Sequence, residues 1–94
     1  MTPAEFFAQH PRAAARLDAR LTEYFATLAP GQQVELETAA TDLLLRETVD
    51  GGWRLEVGFQ VPGGTAWLCG FDAASVGLHV VAGELVYVDD GLSE

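Results

Sequence analysis

Cys69 and His79 are the two residues whose types could support nucleophilic catalysis in this chain. A histidine beside a cysteine can take up the thiol proton and leave a reactive thiolate. If residues 72–76 form a five-residue loop, the two side chains lie directly opposite each other on neighbouring strands. A loop shorter by one residue breaks this pairing, no oxyanion hole is evident, and Cys69 falls on the predicted core face. We therefore predict no catalytic residues and expect that the protein is not an enzyme.

Metal and cofactor sites are not indicated by the pattern of potential ligands. Two histidines and one cysteine are scattered along the chain, and Asp89-Asp90 lacks the further, regularly spaced oxygen ligands of a calcium loop. The Gly-Gly pairs at 51–52 and 63–64 lack a phosphate-binding pattern and are typical of hairpin turns. We predict neither a metal nor a cofactor.

Glu47 is an acidic residue that falls on the predicted apolar face of a strand. At the end of a sheet its carboxylate can reach water. If it were buried, its pKa would be raised, and carboxylates of that kind are common at functional sites. A pocket near Cys69, His79 and Glu47, in a small-ligand-binding domain or an enzyme, is thus the alternative to a purely protein-binding function.

Charge is distributed unevenly along the sequence. The chain has 14 acidic residues against 5 basic ones and a net charge of −9. Residues 1–34 are neutral overall, because Glu5, Asp18 and Glu23 balance Arg12, Arg16 and Arg20, so the net charge arises from residues 35–94. Such a field attracts basic surfaces and repels nucleic acid and anionic membranes. We expect a protein partner with a basic surface, no direct nucleic-acid binding and no membrane binding.

The first third of the chain is predicted to be helical over residues 3–28. Thr2, Pro3 and Glu5 are typical of a capped helix start, and Pro11 interrupts the helical pattern, which predicts a short helix over 3–9 and a main helix from 11 to about 28. The main helix carries one apolar stripe, formed by Ala14, Leu17, Leu21, Tyr24, Phe25 and Leu28. Its arginines lie on a different, solvated face, for which anion binding is the less favoured interpretation.

Residues 33–89 are predicted to form a β-meander. Alternating apolar residues over 53–61 predict a half-buried antiparallel strand between two glycine-bearing turns. A three-residue loop at 62–64 would pair Val57 with Cys69 and Phe59 with Trp67. A second strand is favoured over a helix from residue 33 onward, although 37–44 could also form a helical turn.

Two further hairpins follow from the same alternation. A three-residue loop at 50–52 would pair Leu45 with Val57 and place Arg46 opposite Glu56 on the solvated face. Leu78–Ala82 and Leu85–Val88 are predicted to pair around residues 83–84. Both faces of these last strands are apolar, which requires a second layer such as a dimer mate or a partner protein.

The sequence therefore predicts one α+β domain over residues 1–94. An N-terminal helix, broken near Pro11, packs on an antiparallel β-meander of about five to six strands, and a polar tail follows over 90–94. No signal peptide or apolar run of about 20 residues is present, so we expect a cytoplasmic protein. Arginine without lysine is typical of a GC-rich bacterial or phage genome.

The leading functional hypothesis is a non-enzymatic, acidic protein-binding module of the inhibitor or regulator type, such as an immunity or anti-defence protein. It would dock on a basic surface and could form a homodimer through its C-terminal strands. The predicted partner-binding residues are Glu56, Asp72, Glu84, Val86, Val88, Asp89 and Asp90.

Overall fold

A computed structural model describes residues 1–88 and shows an α+β fold. Within these residues, three helices are followed by five strands and one 3-10 turn. The helices are α1 (Pro3–Gln9), α2 (Pro11–Phe25) and α3 (Pro30–Glu37). The strands are β1 (Thr41–Glu47), β2 (Trp53–Val61), β3 (Gly64–Asp72), β4 (Leu78–Val81) and β5 (Glu84–Tyr87), with the 3-10 turn at Ala73–Val76. The predicted fold class is confirmed, but the strands form two antiparallel sheets, β1-β2-β3 and β4-β5, in place of one meander.

The first two helices begin where the sequence predicts. The Thr2 hydroxyl accepts a hydrogen bond from the Glu5 amide (3.1 Å), while the Glu5 carboxylate accepts one from the Thr2 amide (2.8 Å). Pro11 occupies the first turn of α2, where its missing N–H is tolerated. The helix ends at Phe25, before the predicted end near Leu28. Its apolar stripe packs against the core as predicted, with Leu17 buried and the other members partly buried.

Helix α3 corrects the prediction of a strand from residue 33. Pro30 begins this helix, because its fixed φ is already suited to helical backbone. The side-chain amide of Gln33 donates to the Glu37 carboxylate one turn later (3.2 Å). Leu36 is buried, whereas Val34 is exposed. A single buried residue in a segment this short fits a strand pattern as well as a helix pattern, so periodicity could not distinguish them.

The register between β1 and β2 differs from the predicted one by two residues. Leu45 pairs with Leu55 and Arg46 with Arg54, because a five-residue loop over 48–52 replaces the predicted three-residue loop. Gly51 adopts a φ of +87°, and the Thr48 amide donates to the Gly52 carbonyl (2.9 Å). A shift of two residues leaves every side chain on its predicted face.

The β2–β3 hairpin is confirmed at one end and different at the other. Val57 pairs with Cys69 as predicted, but Phe59 pairs with Ala66 because β3 contains a β-bulge at Leu68. The extra residue places Trp67 opposite Gly58, on the face away from Phe59. The predicted pairing of Phe59 with Trp67 is therefore wrong.

The core lies between the helices and one face of the three-stranded sheet. Phe59 lies beneath α2, with ring centroids 6.2 Å from Tyr24 and 5.9 Å from Phe25. The largest fully buried side chains come from α1, β2, the 3-10 turn and β4; they are Phe6, Phe59, Leu55, Leu78, Val57 and Val76. The three helices, the 3-10 turn and the second sheet thus all contribute residues to the core over this face.

The final hairpin turns at Ala82-Gly83, one residue before the predicted position. Both residues have positive φ (53° and 81°), as in the type I′ turns that match the twist of hairpin strands. Tyr87 packs toward the core and stacks on His10 with ring centroids 5.4 Å apart. Val81 and Val86 point to the other side and are exposed, so the predicted two-sided apolar character is present.

Candidate protein-binding surface

The three-stranded sheet has one face turned away from the helices, which we call the outer face. It carries alternate residues of the three strands. These include Asp42, Leu44 and Arg46 on β1, Arg54, Glu56, Gly58 and Gln60 on β2, and Thr65 and Trp67 on β3. Trp67 is 47% exposed and Leu44 is 44% exposed, and Leu68 at the bulge is also exposed. A groove of about 370 Å³ is lined by Leu44, Arg46, Glu56 and Trp67. The outer face therefore presents large apolar side chains within a polar border.

Trp67 is held on the outer face by the bulge and by the glycine opposite. A Cβ atom on Gly58 would lie 2.9 Å from Cε3 of the Trp67 ring and 2.6 Å from Cγ2 of Thr65. Only a glycine therefore allows the indole to lie this close to the β2 backbone. The predicted pairing with Phe59 would have placed Trp67 on the core face, although a glycine inside an alternating strand is a known signal of a bulge or close packing.

The outer face carries charges of both signs. The Arg54 side chain donates to the Glu56 carboxylate (2.9 Å), and this pair lies over Gly70, where an added Cβ would be 2.7 Å from each side chain. The Asp42 carboxylate accepts hydrogen bonds from the side-chain amide of Gln60 and from the Thr65 hydroxyl (3.4 Å for the latter). Arg46 lies directly opposite Arg54 and has no ion-pair partner within residues 1–88.

The predicted partner-binding residues are divided between the two sheets. Glu56 and Asp72 lie on β2 and β3, whereas Glu84 and Val86 lie on β5. Val88 follows β5, and its amide donates to the Gly77 carbonyl (2.9 Å). Asp89 and Asp90 lie outside the described residues. The prediction did not include Trp67, Leu68 or Leu44.

Asp72 and Asp50 both have hydrogen bonds that stabilise local structure. The Asp72 carboxylate accepts from the Ala74 amide (3.2 Å) at the start of the 3-10 turn. Asp50 accepts from the Thr48 hydroxyl and from the Gly52 amide (3.3 Å). These bonds favour the carboxylate form and lower the pKa of Asp50, with the Thr48 bond as the largest cause. Both carboxylates line a groove of about 200 Å³ beside the 48–52 loop.

Cys69 and His79, which were considered as a nucleophile–base pair, belong to different sheets. Cys69 pairs with Val57 on β2, whereas His79 pairs with Val86 on β5. Burial raises the pKa of the Cys69 thiol, although Arg20 and Arg54 act in the opposite direction. A raised pKa keeps the thiol neutral, which is unfavourable for a nucleophile.

The components of the predicted ligand pocket are likewise separate. Glu47 is exposed at the end of β1, and Cys69 belongs to the buried core. His79 lines a cavity of about 340 Å³ with residues of the 48–52 loop, β2, β3, the 3-10 turn and β4. Its Nε2 atom is buried and has no hydrogen-bond partner within the described part of the chain. This cavity is lined by neither Cys69 nor Glu47.

Across residues 1–88, no group of three or more histidine, cysteine, aspartate or glutamate side chains is placed to hold a metal ion. None of the three helices described above has the length and apolar character needed to span a bilayer. No protein-family model matches the chain, and neither a curated protein nor a solved structure matches it.

Proposed function

We propose that the protein is a non-enzymatic protein-binding module that contacts its partner through the outer face of the three-stranded sheet. The observation that supports this most directly is the exposure of Trp67. Its ring lies on the sheet surface beside Leu44 and Leu68, where about half of it remains open to solvent. Tryptophan is strongly enriched among the residues that dominate binding energy at protein interfaces.

The proposed partner is a protein with an arginine- or lysine-rich surface. A net charge of −9 attracts such a surface over distances beyond direct contact and accelerates encounter. Asp42, Glu56 and Asp72 would meet basic groups around an apolar site that receives Trp67. A small acidic protein of this kind fits an inhibitor or regulator of the immunity or anti-defence type, acting in the cytoplasm of a bacterium or in a phage-infected cell.

The final hairpin is a second proposed contact surface. Val81 and Val86 are exposed on its outer side, and Glu84 lies at its turn. This hairpin would extend the contact with the partner, or would pair with the C-terminal strands of a second copy.

The test compares the wild type with Trp67→Ala and with a matched control, Val34→Ala. Val34 is 61% exposed but lies on α3, away from the outer face. A tagged wild-type chain should capture a basic protein that elutes with increasing salt. Affinity for that purified protein should fall at least tenfold in Trp67→Ala and should be unchanged in Val34→Ala. Equal binding by all three, or affinity that is flat with ionic strength, would contradict the proposal.

The alternative proposal is a small-ligand pocket around His79, supported by its buried, unpartnered Nε2 atom and the adjacent cavity. Thiol labelling of Cys69 tests the version that includes the cysteine. Because burial raises the thiol pKa, labelling of the folded protein at neutral pH should be at least tenfold slower than that of the unfolded chain. Labelling at equal rates would favour an accessible pocket.

A further inference from the structure

Strand β1 lies at the edge of the three-stranded sheet and has one side without a neighbouring strand. At the two ends of β1, the Ala40 carbonyl accepts from the backbone amide of Gln60 (2.8 Å), and the backbone amide of Thr48 donates to the Gly52 carbonyl (2.9 Å). Because the backbone groups of alternate residues face the same side of a strand, the even-numbered residues of β1 face β2. The backbone groups of the odd-numbered residues, from Thr41 to Glu47, therefore face the open edge.

Residues 42–46 of β1 are self-complementary about the central residue of the strand. The strand runs Thr-Asp-Leu-Leu-Leu-Arg-Glu, with Leu44 in the middle. Asp42 and Arg46 stand at equal distances from Leu44 and on the same outer face. An identical strand running in the opposite direction would therefore place each Asp42 opposite Arg46 of the other copy.

We propose that β1 pairs antiparallel with β1 of a second copy of this chain, about a two-fold axis at Leu44. Leu43 then forms a hydrogen-bonded pair with Leu45 of the second copy, since both present their backbone groups to the edge. Asp42 lies opposite Arg46 of the second copy, and the two copies of Leu44 meet at the axis.

Two independent requirements select this register. Backbone pairing allows only registers in which odd-numbered residues oppose odd-numbered residues. Moving the axis to Leu43 or Leu45 satisfies that requirement, but it places Asp42 and Arg46 opposite uncharged residues. The axis at Leu44 satisfies the backbone and pairs both Asp42 residues with both Arg46 residues, while Glu47 lies opposite Thr41.

The single chain leaves these groups ready for such a contact. Arg46 lies across from Arg54 without an ion-pair partner in residues 1–88, so a carboxylate from a second copy would relieve a like-charge contact. Asp42 accepts both of its hydrogen bonds on Oδ2, which leaves Oδ1 to accept from arginine. Leu44 is 44% exposed.

The pairing would join two three-stranded sheets into one continuous sheet. Both outer faces would lie on the same side of it, so the Trp67 residues of the two copies would be displayed together. This inference does not depend on the proposed partner, because it rests on β1 alone. A contact along one short strand is small, and we expect dissociation at low protein concentration.

The test uses two charge variants, Asp42→Arg and Arg46→Asp, with sedimentation velocity over a range of concentrations. The wild type should approach twice the single-chain mass of 10.1 kDa at high concentration. Each variant alone should remain monomeric, because like charges would face each other across the axis. An equimolar mixture of the two should form a heterodimer with at least tenfold higher affinity than either variant for itself.

The mixture also controls for misfolding, because two damaged chains would not regain association. Val34→Glu, on α3, serves as the matched control and should dimerise like the wild type, whereas Val86→Glu tests the final hairpin as the alternative contact. A wild type that stays monomeric at millimolar concentration overturns the proposal. So does a dimer that is lost in Val86→Glu but retained in both β1 variants, since it would place the contact at the C-terminal strands.

Discussion

The two faces of the three-stranded sheet are built from the same three strands and yet differ in almost every physical property. On the inner face, Leu55, Val57 and Phe59 are completely buried beneath the helices and the second sheet. On the outer face, Trp67 and Leu44 remain about half exposed. The difference shows that apolar residues on a strand stabilise the fold only where another element covers them.

This contrast separates residues that serve stability from residues available for binding. Complete burial of a large apolar side chain contributes about 1.5–3 kcal/mol. Trp67 has realised only part of that free energy in the single chain, so the remainder can be gained on contact with a partner. Mutations on the two faces should therefore have different consequences.

The largest effect on stability is expected from Phe59→Ala on the inner face. Removing this fully buried ring leaves a cavity beneath Tyr24 and Phe25 and should lower the free energy of unfolding by about 3–5 kcal/mol. Urea denaturation followed by circular dichroism measures this change. A loss below about 1 kcal/mol would mean that the inner face is not the principal core.

A smaller loss, of about 1–3 kcal/mol, is expected from Gly58→Ala, because the added methyl group would press against Trp67 and Thr65. The double variant Gly58→Ala/Trp67→Ala should recover part of that loss, since one of the two obstacles is gone. Gly31→Ala is the control, because an added Cβ there has nothing within 4 Å. Equal behaviour of the two glycines in urea denaturation would argue against the close packing of Trp67.

The loop over 48–52 links β1 and β2, and Asp50→Ala should lower the melting temperature slightly at neutral pH. The Thr48 and Gly52 hydrogen bonds lower the pKa of Asp50, so its stabilising effect is present above the unfolded-state pKa of about 3.9. It is lost as the pH falls through the still lower pKa of the folded state. Melting curves of both proteins should therefore converge at low pH, and a difference that persists under acid would contradict this account.

The smallest effect on stability is expected from Trp67→Ala, which should change the free energy of unfolding by less than about 1 kcal/mol. The half-exposed ring has less burial to lose than the fully buried Phe59 ring, although its removal should weaken binding to the proposed partner strongly. Chemical denaturation of this variant beside Phe59→Ala compares the two faces directly. Similar losses from both would show that the outer face contributes to folding as the inner face does.

Local patterns in the sequence predicted the elements that carry strong signals. Thr2 and Pro11 mark the starts of the first two helices, and alternation over 53–61 predicts β2 with its correct bounds. The inner and outer faces of β1 and β2 were also predictable, since a two-residue register error preserves them. These features depend on neighbouring residues alone, so no knowledge of the fold was required.

Three other features were decided by contacts between distant residues. Helix α3 forms because Leu36 finds a place in the core, and the chain divides into two sheets because β4 pairs with β5 alone. The bulge at Leu68 reverses the side on which Trp67 lies, and it depends on how the indole packs over Gly58 across the hairpin. A one-residue change in pairing moves a side chain from core to solvent, and short-range pattern cannot specify that choice. The sequence by itself therefore determined α1, α2 and β2, whereas tertiary packing determined α3, the division into two sheets and the surface position of Trp67.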